Sequence, residues 1–199
     1  MIFKYILCAV IAYLLGSIST GILVSRHSGH NLRQEGSHNT GASNALRVLG
    51  VKGGALTFLG DFLKAAMAVT AGLLIAGRYG GMIAGLFVIL GHNWPLFFGF
   101  QGGKGIACST AVLPILFPWQ GAVAIALCLL VIWLWRYISV GSLTMLSVYF
   151  ILIALTQPFW PYAVWALALL TLGVYRHRSN LERLRNGTEN KLGQKAKPV

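Results

Sequence analysis

The sequence predicts an all-α polytopic membrane protein: a seven-transmembrane-helix bundle with some short helices, N-terminus out and C-terminus in. Three observations predict it. The 199 residues are 56% hydrophobic and only 10% charged, with a mean hydropathy of +0.70, whereas soluble domains run at about a quarter charged. The apolar residues fall into runs, several near the roughly 20 residues that cross a bilayer as a helix. The basic residues sit almost entirely between alternate runs.

The runs are 2–25, 54–77, 81–99, 105–117, 119–135, 138–157 and 159–175. The first, "MIFKYILCAVIAYLLGSISTGILVS", lacks a basic n-region and a clear small-residue cleavage site, and is expected to be retained as a span. Runs 81–99 and 105–117 are short. They are expected as short helices or a re-entrant region packed against protein; without them five spans remain, with both ends placed as before. Pro and Trp in "FPWQG" and "QPFWPY" suit an outer interface. No internal repeat is visible, and the whole of 1–199 is expected to form one domain. Its polar tail from about 176 is expected as a short basic helix followed by disorder.

Charge sets the orientation. There are 16 Lys and Arg against 4 acids. Seven spans place loops 26–53, 100–104, 136–137 and the tail on one side, and 13 of the 16 basic residues fall there. Lys4 and Arg78 fall on the other side, and Lys64 lies within a span. Such an excess marks the cytoplasmic face. With no soluble basic domain, nucleic acid is not the expected partner; anionic lipid or an anionic substrate is. Cys8, Cys108 and Cys128 lie in or beside apolar runs without ligand spacing and read as small hydrophobes. No metal and no cofactor are expected.

The unusual polar sequence gathers on that same face. In "GSHNTGASNALRVLG" (36–50), Gly36 and Gly41 permit positive φ, so successive N–H groups can converge on an anion. Ser37, Asn39, Ser43 and Asn44 add side-chain donors. A helix beginning near Asn44 would aim its N-terminus at the same place, with Arg47 a turn further on. A polar loop with turn glycines is the plainer account. In "GHNWPLFFGFQGGKG" (91–105), Gly102, Gly103, Lys104 and Gly105 offer backbone donors and a cation on a tight turn. His92 and Asn93 fit an ordinary interface as readily as a site. In "YRHRSNLERLRNGTE" (175–189), His177 stands between two arginines that suit a phosphate or lipid headgroups. Ser139 and Ser142, in "RYISVGSLTM", line a site or mediate helix packing. Asp61 and Lys64 lie three apart on one helix face and are expected to form an internal ion pair that orients the Gly-rich loop.

The four acids, Glu35, Asp61, Glu182 and Glu189, form no paired-carboxylate centre and no Mg²⁺ or Zn²⁺ cluster. No His-x₄-Asp arrangement and no G-x-S-x-G elbow occurs. The site is rich in phosphate-binding groups and poor in general bases. It suits either anion binding or transfer from a phosphate carrier without a protein nucleophile.

The order and spacing of "GSHNTGASNALR", "GHNWPLFFGFQGGKG" and "YRHRSNLERLRNGTE", with "AYLLGSISTGILVSR" and "LTFLGDFLKA", resemble the PlsY family of bacterial acyl-phosphate:glycerol-3-phosphate acyltransferases over nearly the whole chain. His38 replaces a common glycine, Ser43 a threonine and Gln101 a lysine. The resemblance implies seven spans in the bacterial inner membrane and a site at the cytoplasmic face. It implies acyl transfer from acyl phosphate to glycerol 3-phosphate, giving lysophosphatidic acid, the first step of bacterial phospholipid synthesis. The family's essential serine and arginine fall on Ser37 and Arg47, its phosphate-binding loop on Gly102, Gly103, Lys104 and Gly105, its functional histidine and asparagine on His177 and Asn180, and a structurally needed glutamate on Glu189. Arg47, Lys104, His177 and Asn180 are then expected to hold glycerol 3-phosphate, and the Gly-rich loop the acyl-phosphate headgroup, without an acyl-enzyme. Membrane lipids and an acyl-phosphate-producing enzyme are the expected partners. The rival readings are a small anion transporter and a lipid-binding scaffold.

Overall fold

A computed structural model describes residues 1–194. Every regular element among the described residues is helical: α1 Ile2–Gly16, α2 Thr20–His27, α3 Ala42–Asn93, a 3-10 turn at Leu96–Phe98, α4 Ile106–Leu116, α5 Pro118–Trp135, α6 Ile138–Thr156, α7 Trp160–Arg176 and α8 Arg178–Arg185. They gather in two compact units, Met1–Leu116 and Phe117–Gln194. In the first, α1, α2 and α4 pack on α3; in the second, α6 packs on both α5 and α7.

Helix α3 is not straight. Helical geometry fails at Gly50 (φ 73°, ψ −170°), Ala76 (φ −144°, ψ 26°) and Gly77 (φ 63°, ψ −156°). At both places the chain doubles back. A Cβ on Gly54 would lie 2.8 Å from the Leu46 Cβ, and one on Gly72 would lie 2.5 Å from the Gly80 carbonyl oxygen. Residues eight apart on a straight helix stand ~12 Å apart along its axis. The result is three helical sections, 42–49, 51–75 and 78–93. The positive φ at Gly50 and Gly77 is why both reversals fall on glycine, and the small residues flanking the second let the backbones meet. Runs 54–77 and 81–99 are thus the last two sections of α3, and 105–117 is α4. Among the described residues, four stretches are long and apolar enough to span a membrane by themselves: Ile2–His27, Ala42–Phe98, Pro118–Trp135 and Ile138–Thr156. Helices α4 and α7, of 11 and 17 residues, are shorter.

The first run is broken where the sequence suggested one continuous span. α1 stops at Gly16 and α2 begins at Thr20. Irregular backbone at membrane depth must find its hydrogen bonds inside the protein, and here a charged pair supplies them. The Lys64 ammonium donates to Gly16 O at 3.0 Å and Ile18 O at 2.6 Å, and lies 2.8 Å from Asp61 Oδ1. The Thr20 hydroxyl donates to that same oxygen at 2.9 Å. The cation sits at the carbonyl end of α1 and the carboxylate at the amide end of α2, the arrangement that helix dipoles favour. The expected ion pair is present, and what it holds is the α1–α2 break.

The second unit has an aromatic centre. Tyr149, 1% exposed, stands edge-on to Trp165 and to Phe117, with ring centroids 6.2 and 6.4 Å apart. Close helix approach is possible where side chains are missing: a Cβ on Gly141 would lie 2.8 Å from Cys128 O. The tail departs from the expected disorder. Past α8 the backbone turns back, and Arg136 and Leu192 exchange two hydrogen bonds, Leu192 N–H to Arg136 O at 2.6 Å and Arg136 Nη2 to Leu192 O at 2.9 Å. The expectation for the last residues, 195–199, lies outside the described residues.

Candidate active-site loops

The loop between α2 and α3 is shaped by Asn44, which is 1% exposed. Its carbonyl accepts from Ser37 N–H at 2.7 Å. Its amide donates to Leu32 O at 3.0 Å and Glu35 O at 2.9 Å. Both N–H groups are therefore occupied, and Asn44, expected to face a ligand, acts here as the clamp that sets the loop. Gly36 has φ 65° and its missing Cβ would collide with the Asn44 carbonyl oxygen, so glycine is required on two counts. His38 also has positive φ, 56°, a conformation that glycine adopts more readily than a side-chain-bearing residue. Its ring donates to Arg33 O at 3.1 Å. Asn39 Oδ1 accepts from Gly41 N–H at 2.9 Å, turning the chain into α3, whose first residue is Ala42. Ser37, Ser43 and Arg47 are half-buried along this turn.

The second loop, after α3, is seated on the helix end. Gly102 N–H donates to Asn93 O at 3.2 Å and Gly103 N–H to His92 O at 3.1 Å. These two amides, expected to contact a phosphate, are spent on docking the loop, and any anion contact passes to Lys104 and the opening turn of α4. Gly103 lies directly on the His92 imidazole, where its Cβ would collide with Nε2. Gly105 has φ 82°, and its Cβ would lie 2.7 Å from the Ile89 side chain. Below, His92 Nδ1 stands 3.1 Å from Lys64 Nζ and 3.3 Å from Asp61 Oδ1. The buried pair of α3 therefore supports the second glycine loop through His92, a residue whose part in the site the sequence left open. Asn93, wholly buried, has neither side-chain amide atom bonded.

Asp61, His92 and Cys108 offer three ligand atoms within 4.8 Å of one another. The Lys64 ammonium, within 3.1 Å of both Asp61 and His92, already holds the cationic place among them, and the Cys108 thiol donates to Asp61 O at 3.4 Å. The donor set suits an internal ion pair better than a metal.

In the second unit Glu189 is a hub. Its Oε1 accepts from Ser139 Oγ at 2.8 Å and Asn180 Nδ2 at 2.6 Å, and its Oε2 from Arg183 Nε at 2.8 Å. Burial raises the carboxyl pKa, but the bonds from Asn180, Ser139 and Arg183, with the Arg183 charge, outweigh it and hold the group below the usual glutamate range. His177, 3% exposed, donates from Nδ1 to Gly173 O at 2.8 Å, which fixes the orientation of its ring. Ser142 donates to Ile138 O at 2.8 Å within its own helix. Three of the four acids are committed: Glu35 to Asn31 N–H and His30, Asp61 to Lys64, and Glu189 to its hub.

Comparison with known proteins decides what these loops belong to. A family profile described as Glycerol-3-phosphate acyltransferase matches residues 6–187. A glycerol-3-phosphate acyltransferase of Thermoanaerobacter sp. (strain X514) is 45% identical over 194 residues, covering 96% of each chain. The chain belongs to the glycerol-3-phosphate acyltransferase family. A second member, from Clostridioides difficile (strain 630), is 41% identical over 201 residues and 98% of each chain. Two crystal structures of PlsY, an integral membrane glycerol 3-phosphate acyltransferase, share the fold. The glycerol 3-phosphate form gives a TM-score of 0.90 at 34% identity, over 95% of this chain and 96% of that one. The lysophosphatidic acid form gives 0.87 at 32%, over 95% of each. As a family member the chain is an acyltransferase of phospholipid synthesis and an integral membrane protein. The anion-transporter and scaffold readings fall with that.

Proposed function

We propose that this acyltransferase moves an acyl group from acyl phosphate to the 1-hydroxyl of sn-glycerol 3-phosphate, at the cytoplasmic face of the bacterial inner membrane. The products are 1-acyl-glycerol 3-phosphate and inorganic phosphate. The hydroxyl oxygen attacks the acyl carbon, the bond from that carbon to the phosphate oxygen breaks, and the hydroxyl proton passes to the departing phosphate. No acyl-enzyme forms. In the first unit, Ser37, Arg47 and Lys104 are the catalytic contacts, with Gly36, Asn39, Gly41, Ser43 and Gly105 shaping the phosphate site. In the second, His177 and Asn180 meet the acceptor, Ser142 lines its place, and Glu189 fixes Asn180. The acyl phosphate comes from a separate acyl-phosphate-producing enzyme.

The observation that carries this reading is the commitment of Glu35, Asp61 and Glu189 to structural bonds. With these carboxylates occupied, catalysis falls to positioning and charge neutralisation, and the leaving phosphate is the natural proton acceptor. The relatives' solved forms, one named for glycerol 3-phosphate and one for lysophosphatidic acid, support substrate and product of this kind. With Nδ1 turned to Gly173 O, Nε2 is the ring atom a substrate proton would reach, which favours a second reading, in which His177 takes the proton. Phosphate release by the purified protein tests the main one. Release from acyl phosphate should require glycerol 3-phosphate from the first turnover; a burst without acceptor would reveal an acyl-enzyme and contradict it.

A further inference from the structure

The two glycine loops of the first unit are joined by one side chain. Arg33, in the α2–α3 loop, donates from a single nitrogen, Nη2, to Phe98 O and to Gln101 O, the second at 2.7 Å. Its backbone belongs to the first loop at both edges: its N–H donates to Asn31 Oδ1 at 3.1 Å, and its carbonyl accepts from the His38 ring at 3.1 Å. The second loop is bent to meet it. Gly99 and Phe100 both have positive φ, 65° and 57°, and the bend turns the carbonyls of residues 98 and 101 toward one point. A left-handed conformation is unfavourable for a residue such as phenylalanine, so the bend needs a compensating contact, and the guanidinium provides it. Arg26 adds a weaker tie, its guanidinium 5.8 Å over the Phe98 ring. The loop's two feet, Gly102 and Gly103, are held by α3 itself.

We propose that Arg33 is a positioning residue for acyl transfer: it locks the loop bearing Ser37 to the loop bearing Lys104. This rests on the reading that those residues meet the phosphate-bearing substrates. A cation is suited to the place, because its partners are carbonyls and its charge adds to the field that attracts an anion. Neither loop alone fixes the spacing between their functional groups, and a misplacement of about 1 Å costs on the order of 100-fold in rate.

Two variants, Arg33→Ala and Arg33→Lys, test it. Arg33→Ala should keep the melting temperature of the detergent-solubilised protein within a few degrees. Its kcat/KM for glycerol 3-phosphate should fall about 10- to 100-fold, with part of the loss restored by millimolar guanidinium. Amide exchange in residues 96–104 should quicken while that of α5–α7 does not change. Arg33→Lys, which keeps charge but loses the planar fork, should fold normally and fall between Ala and the parent. Unchanged exchange at 96–104 in a folded Arg33 variant would overturn the proposal, as would parent-like turnover or a loss that guanidinium does not relieve. A parent protein that turns over no glycerol 3-phosphate would instead refute the proposed function, and the exchange measurement would still judge the brace.

Discussion

Arg47 shows what a single residue contributes. It stands half-buried one turn into α3, beyond the Asn44 clamp that fixes the loop before it. Replacing it with alanine should lower turnover by about 10²–10³, by analogy with losing one preorganised donor at a developing charge, with the protein still folded. Initial rates of lysophosphatidate formation measure this, and a near-parental rate would remove Arg47 from the site. Its place on the helix turn was readable from the glycine and asparagine pattern before it. The role of Asn44 was not, because an amide that binds a ligand and one that binds its own loop look alike in sequence. Arg33 went unnoticed for a similar reason: its partners are backbone carbonyls, which no side-chain pattern announces.

At the scale of elements, Asp61 and Lys64 hold the broken first span together. Lys64→Met takes the donor from two carbonyls and leaves the buried Asp61 carboxylate with only Thr20 and His92 beside it, at a cost of about 3–5 kcal/mol. The double variant Asp61→Asn, Lys64→Met should lose clearly less than the sum of its parts. Melting temperatures of the four proteins in one detergent would show it, and strictly additive losses would sink the idea. The pairing was legible from the i,i+3 spacing, but the break it serves was not. Residues 2–25 read as one predominantly apolar run, and the carbonyls taken by Lys64 show where the helix stops. The second reversal of α3 was legible as two runs, 54–77 and 81–99, because the first ends at Gly77 and Arg78 follows it.

Glu189 governs a second element, the segment from α8 to the returning tail. Its carboxyl is held below its ordinary value of 4.5, so its contribution is complete above that value and is lost as pH falls through the lower, folded one. Amide protection in 178–190, taken relative to the intrinsic exchange rate at each pH, should therefore stay high at neutral pH and fall on acidification, and Glu189→Gln should blunt that response. A Gln variant with the parental acid profile would contradict it. Nothing in the local sequence of the tail announced order there, since the partners of Glu189 and Leu192 include Ser139 and Arg136, some fifty residues earlier.

For the molecule as a whole, composition and charge sufficed to give the class, and the three polar motifs gave the family. What they could not give was how each glycine is used. Gly36 makes room for Asn44, whereas Gly102 and Gly103 spend their amides on α3, and both look the same in a sequence read for phosphate loops. The central claim is about the donor. Purified protein should be given labelled glycerol 3-phosphate with palmitoyl phosphate or, separately, with palmitoyl-CoA. Labelled lysophosphatidate formed from the acyl phosphate alone is the predicted result. Product from the CoA ester alone, or from neither donor in folded protein, would contradict it.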